Sequence, residues 1–113
     1  GERRGIRRYG FLMPMDEALA RVAVDLGGRS HVVFEAEFDR ERVGDLPTEL
    51  VEDFLVALSR HLKATFHVTV LHGRNDHHRI EAIFKGLGRA LRAAIERDPR
   101  LGEELPSTKG RIE

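Results

Sequence analysis

The hydrophobic period of this chain is two residues, then three to four, then two again, and no fold built from one kind of element accommodates both. In "ALARVAVDLGGR", Ala18, Ala20, Val22, Val24 and Leu26 fall at every second position, with Arg21 and Asp25 on the opposite face. The β-branched valines and the closing glycine pair predict a strand that ends in a turn. "SHVVFEAEF", Ser30 to Phe38, reads as its hairpin partner, and "RRYGFLMP", Arg7 to Pro14, as a preceding strand stopped by its proline.

The period changes in "LPTELVEDFLVALSRHL", where Leu50, Val51, Phe54, Leu55, Leu58 and Leu62 recur at three and four, with Thr48 as the expected N-cap. "ATFHVTVLHG", Ala64 to Gly73, returns to alternation and ends in a Gly-Arg-Asn-Asp turn. A second helix is expected from Asp76 to Asp98, where Asp98-Pro99 stops it. The order is βββαβα, an α+β unit with helices on one face of a mixed sheet. Residues 1–104 are expected to form a single domain and residues 105–113 a C-terminal tail without periodicity.

At 113 residues the chain suffices for one core, and its 19 basic residues balance 19 acidic ones. That balance removes the whole-chain field that attracts nucleic acid, so no nucleic-acid partner is expected. "GERRGIRR" remains a local basic patch, readable as a solvated arm or an anion site. With no cysteine, neither disulfides nor thiolate-bound zinc can support the fold, and a reducing cytoplasm is the expected setting. No apolar run approaches the roughly 18–20 residues that cross a bilayer, and no signal-peptide pattern is present, so no membrane partner is expected.

The densest chemistry lies in "GRNDHHRIEAIFK", Gly73 to Lys85. At about 100° per residue, Ile80, Ile83, Phe84, Leu87, Leu91, Ala94 and Ile95 form one apolar face. With His77 at zero, Glu81 falls at roughly 40°, Lys85 at roughly 80° and His78 at roughly 100°, a stripe bordering that face. Imidazole nitrogens and a carboxylate suit Mn²⁺, Fe²⁺ or Zn²⁺, and adjacent histidines pointing about 100° apart reach two ions more naturally than one. The zinc-protease spacing His-Glu-x-x-His is absent. In the alternative reading Asp76 caps the helix and the histidines are solvated polar residues of its first turn. His67, in the preceding strand, favours the metal reading if the strand–turn–helix unit brings it toward the helix entrance.

Together "GIRRYGFLMPMDEALARVAVDLGGR", "FHVTVLHGRNDHHRIEAIFKGLGRAL" and "LPSTKG" resemble the imidazoleglycerol-phosphate dehydratase family of histidine biosynthesis. That family is similar in fold to the second domain of ribosomal protein S5, duplicated, and the chain resembles its second half. Within that half the departures are few, such as "DLGGRS" where a serine and a proline are usual, and the serious one is the missing first half with its own histidine cluster and substrate contacts.

The resemblance implies a hydro-lyase in which two manganese ions engage the imidazole of imidazole glycerol phosphate while water leaves its glycerol chain, giving imidazole acetol phosphate. It implies His67, His77, His78 and Glu81 as the metal ligands of this half, and Arg8, Arg29, Lys85, Ser107 and Lys109 as phosphate contacts, the last two in the tail. Asp16 matches a motif at the active-site edge and is the catalytic candidate, although a strand-edge acid pair is an equal reading. Its neighbour Glu17 receives no catalytic role. The expected partners are the substrate and either the other half or a second copy of the chain. A metal-binding, self-assembling half-domain without activity is the alternative function.

Overall fold

The structure, a computed structural model, describes residues 11–95. In chain order it contains β1 (Phe11–Met15), β2 (Ala18–Asp25), β3 (His31–Glu35), β4 (Arg42–Val43), β5 (Leu46–Pro47), α1 (Leu50–Leu62), β6 (Thr65–His72) and α2 (Asp76–Ile95). The expected βββαβα order holds, with the β4–β5 ribbon inserted before α1. The expected end of α2 at Asp98 lies outside the described residues.

The main sheet runs β1-β2-β6-β3, so the last strand in sequence lies inside the sheet. β2 pairs antiparallel with both β1 and β6, whereas β3 lies parallel to β6. This corrects the hairpin expected between β2 and β3. The hairpin partner of β2 is β1, and β6, with Phe66 and Val68 fully buried, takes the place between β2 and β3. Pro14 is not a stop either. It sits inside β1, which among the described residues is an edge strand, where a missing N–H need not break the ladder.

Both helices cover one face. Ala20, Val22, Val24, Phe66 and Val68 of the sheet form one core with Val51 and Leu55 of α1 and Ile80, Ile83, Leu87 and Ala90 of α2. α2 lies across β1 and β2, and α1 packs mainly against β3. Gly86 permits the close seat of α2: a Cβ there would stand 2.9 Å from Val22 Cγ2 and 3.3 Å from Met13 Cβ. The other sheet face carries Leu12 (55% exposed), Arg21, His67, Thr69 and Glu35. Arg21 Nη2 lies 3.5 Å from Thr69 Oγ1, which donates to Glu35 Oε1 at 3.2 Å, a polar ladder across three strands. Among the described residues no helix packs on that face, and none is long and apolar enough to cross a membrane.

Two cap expectations change. Thr48 does not cap α1: its hydroxyl faces the carbonyls of Arg40 and Glu41 at 2.8 and 3.3 Å, and Glu49 occupies the N-cap without a side-chain bond. Asp76 does not cap α2. Asn75 does, its Oδ1 accepting from His78 N–H at 3.2 Å, while Asp76 is buried to 2% exposure and directed elsewhere.

Candidate functional site

Register brings two distant turns together at one end of the sheet. Because Leu19 pairs with His72, the β1–β2 turn holding Asp16 and Glu17 lies against the Gly73–Asn75 turn that leads into α2. Asp16 adopts a left-handed φ of 52°, which a short polar side chain tolerates better than most. Glu17 then reaches across. Its Oε2 accepts the backbone N–H groups of Arg74 and Asn75, each at 2.9 Å, and its Oε1 lies 2.7 Å from His78 Nδ1.

These bonds, the Arg74 and Asn75 amides foremost and then His78, hold the Glu17 carboxyl at a pKa of about 2. An ionised carboxylate only accepts, so Nδ1 of His78 carries the proton and Nε2 becomes the outward nitrogen. The Glu17 hydrogen bond raises the His78 pKa, with burial opposing. Asp16 Oδ2 stands 3.6 Å from Nε2 on a side chain 75% exposed.

His77 makes a second, separate pair. Its Nε2 is 2.6 Å from Glu81 Oε1, and Glu81 Oε2 is 3.3 Å from Lys85 Nζ. The Lys85 bond is the chief reason the Glu81 carboxyl lies below its usual range. The two imidazoles stand 6.2 Å apart at 75°, His77 directed along α2 and His78 across to the β1–β2 turn. The site is therefore two histidine–carboxylate pairs, not one cluster.

The donor types fit a divalent first-row cation such as Mn²⁺, Fe²⁺ or Zn²⁺, but the described residues of one chain do not enclose it. Among the described residues no three histidine or carboxylate groups come together as a metal site. His67 accounts for this. Alternation along β6 buries Phe66 and Val68 beneath the helices and turns His67 to the opposite, exposed face, so the strand–turn–helix unit does not carry it to the helix entrance.

The phosphate candidates are also dispersed. Lys85 sits two turns along α2 from His77, roughly 12 Å of helix rise. Arg29 lies at the other end of the sheet, where its carbonyl accepts from Thr65 Oγ1 at 3.1 Å. Asp25 pairs with Thr65 there, and Leu19 with His72 at the histidine end, a separation of roughly 20 Å along the strand. Arg8, Ser107 and Lys109, with the tail 105–113, lie outside the described residues.

Three residues hold contacts here that the sequence does not display: Glu17, given no catalytic role, Asp76, expected only as a cap, and Arg79. Glu17 links both turns to His78. Asp76 accepts the backbone N–H groups of Asp39 and Arg40 at 3.1 and 2.7 Å and pairs with Arg79 at 2.9 Å. Arg79 in turn donates to the carbonyls of Gly73 and Glu37 at 2.6 and 3.2 Å, fastening the turn before α2. Only sheet register reveals the Glu17 contacts, since Glu17 and His78 are 61 residues apart.

Comparison with known proteins places the chain in a family. A family model described as imidazoleglycerol-phosphate dehydratase matches residues 1–91. The imidazoleglycerol-phosphate dehydratase of Chloroherpeton thalassium is 52% identical over 99% of this chain and 57% of its own length. That of Hydrogenovibrio crunogenus is 50% identical over 99% of the chain and 58% of its own length. Among solved structures, the Staphylococcus aureus enzyme superposes with a TM-score of 0.81 at 44% identity, over 85% of this chain and 57% of that one. The Pyrococcus furiosus enzyme gives 0.83 at 38% identity, over 97% and 59%. The chain thus spans just over half the length of these relatives. By the extent of the family match and the identity to its members, the chain belongs to the imidazoleglycerol-phosphate dehydratase family.

Proposed function

We propose that this chain supplies one half of a manganese-dependent dehydratase site that converts imidazole glycerol phosphate to imidazole acetol phosphate in histidine biosynthesis. The complementary half comes from another half-unit, in the same polypeptide or in a second copy. The observation that carries this reading is the division of the donors: two histidine–carboxylate pairs at the entrance of α2 and His67 on the opposite sheet face. A compact substrate cannot touch both His78 and Arg29 within one chain, because roughly 20 Å of strand separates their ends of the sheet. A site shared between units lets His67 and Arg29 of one meet His77, His78 and Lys85 of another.

Dehydration removes a proton from one carbon and a hydroxyl from its neighbour, and the resulting enol becomes the ketone. A divalent cation at a ring nitrogen would withdraw charge from the substrate's imidazole and ease loss of the proton. The chain's own residues orient and neutralise. Glu17 fixes the tautomer of His78 so that Nε2 faces outward, Glu81 holds His77, and Asp16, exposed near Nε2, is the group at hand to carry a proton. Lys85 and Arg29, with Arg8, Ser107 and Lys109, supply charge and hydrogen bonds for the phosphate.

The test is turnover of imidazole glycerol phosphate by the chain with Mn²⁺, alone and mixed with a complementary half-unit, before and after chelation. Activity that needs Mn²⁺ and disappears in His77→Ala/His78→Ala supports the proposal. The lack of a three-donor group among the described residues of one chain favours one alternative, a metal-binding, self-assembling half-domain without activity. Metal-dependent assembly with no turnover in any mixture would establish that alternative.

A further inference from the structure

Beyond Lys85 the charged residues of α2, as far as Ile95, are all basic. Lys85, Gly88, Arg89 and Arg92 of α2 and Met13 of β1 line a groove of about 510 Å³. With His77 at zero, Gly88, Arg92, Lys85 and Arg89 fall at roughly 20°, 60°, 80° and 120°, one stripe along the helix. All four are exposed. Among the described residues no carboxylate lines the groove, Glu81 neutralises Lys85, and no ion pair engages Arg89 or Arg92. Helix surfaces usually set opposite charges three and four residues apart, whereas Lys85, Arg89 and Arg92 set like charges at those spacings.

Gly88 is the second observation. It lies inside a helix, where glycine is a poor residue, and packing gives no reason for it: a Cβ would meet nothing within 4 Å. The contrast with Gly86, whose Cβ would strike Val22, is sharp. Gly88 leaves the floor of the groove bare between the cations, so an anion can settle among them at backbone level.

We propose that this groove binds an oligophosphate, an anion with several linked phosphoryl groups, whether inorganic or the phosphate chain of a nucleotide. Lys85 and Arg92 are separated by roughly 10 Å of helix rise, which a chain of phosphoryl groups can follow and a single phosphate cannot. The planar forks of Arg89 and Arg92 suit phosphoryl oxygens, and Lys85 adds a mobile point charge. The binding stands independently of the dehydratase reading. One consequence rests on that reading: because Lys85 also belongs to the substrate's phosphate contacts, an oligophosphate in the groove competes with substrate.

Calorimetric titration of the full chain in metal-free buffer tests the site, with tripolyphosphate, adenosine triphosphate and inorganic phosphate as probes. Tripolyphosphate should bind at least about tenfold more tightly than inorganic phosphate, and Arg89→Gln/Arg92→Gln should abolish that advantage. Gly88→Leu should also remove it without lowering the melting temperature, by filling the floor without removing charge. His77→Ala/His78→Ala should leave it intact. Affinity for adenosine triphosphate equal to that for tripolyphosphate identifies the phosphate chain alone as the ligand, and higher affinity identifies a nucleotide, either result supporting the site. Arg40→Gln/Arg42→Gln removes the same charge elsewhere: an equal loss there, or unchanged binding in the Arg89/Arg92 variant, overturns the proposal.

Discussion

A single side chain, Glu17, connects the two turns that frame the candidate site, and its replacement separates structure from chemistry. Glu17→Gln keeps an amide oxygen for the Arg74 and Asn75 N–H groups but loses the charge that fixes the His78 tautomer. Manganese affinity of the assembled protein should fall about 10- to 100-fold in calorimetry, as for other partners behind a ligating histidine. The pH dependence of the metal-free chain follows from the same contact. Glu17 titrates at about 2 when folded against an ordinary 4.5, so its stabilisation is complete above about 4.5 and is lost as pH falls toward 2. The His78 pKa is raised from 6.5, so its contribution is complete below 6.5 and is lost as pH rises through the folded value. Melting temperatures in a chelator should therefore peak between about pH 4.5 and 6.5, and Glu17→Gln should flatten both limbs. Asp76 is the structural counterpart: Asp76→Ala leaves the backbone N–H groups of Asp39 and Arg40 without their acceptor, while Arg79 keeps Asp39 and the carbonyls of Gly73 and Glu37, and should cost about 1–3 kcal/mol in urea unfolding.

Within α2, two glycines two positions apart should respond to alanine with opposite signs. At Gly86 the new methyl meets a buried, β-branched Val22 that cannot swing aside, and overpacking of about 1–3 kcal/mol outweighs the gain of up to about 1 kcal/mol in helix propensity. At Gly88 only the gain remains, so Gly88→Ala should stabilise by about 0.5–1 kcal/mol, both changes being read from denaturant midpoints. The longer elements, unlike the two-residue strands β4 and β5, which are too short to show a period, were legible because hydrophobic period reports which face of a segment is buried. The neighbours of a strand were not, since alternation in "SHVVFEAEF" is the same whether β3 pairs with β2 or lies parallel to β6. The orientation of His67 was legible and was misread: Phe66 and Val68 on either side must face the core, which sends the histidine to the other face. Glu17 was not legible, because no local pattern connects positions 61 residues apart.

For the molecule as a whole, the divided donor set predicts that metal and assembly are linked. If Mn²⁺ binds between copies, mass action should favour the oligomer, by about 2.7 kcal/mol at a hundredfold excess over the dissociation constant. Light scattering should show a larger particle with Mn²⁺ than with a chelator, and a chain that remains monomeric at high concentration with saturating Mn²⁺ would refute a shared centre. Removing the residues after Leu105 should weaken binding of a phosphate-bearing substrate analogue far more than binding of free imidazole, because Ser107 and Lys109 are lost. The position of β6 between β2 and β3 has a consequence for synthesis on the ribosome. β1 and β2 emerge first, yet a lone two-stranded hairpin is marginal in water, and β3 can find its neighbour only after Thr65–His72 has been made. No sheet of these strands is finished until β6 has been made, and ribosome-bound chains halted before β6 should be digested by protease at β1–β3 whereas those halted after α2 resist.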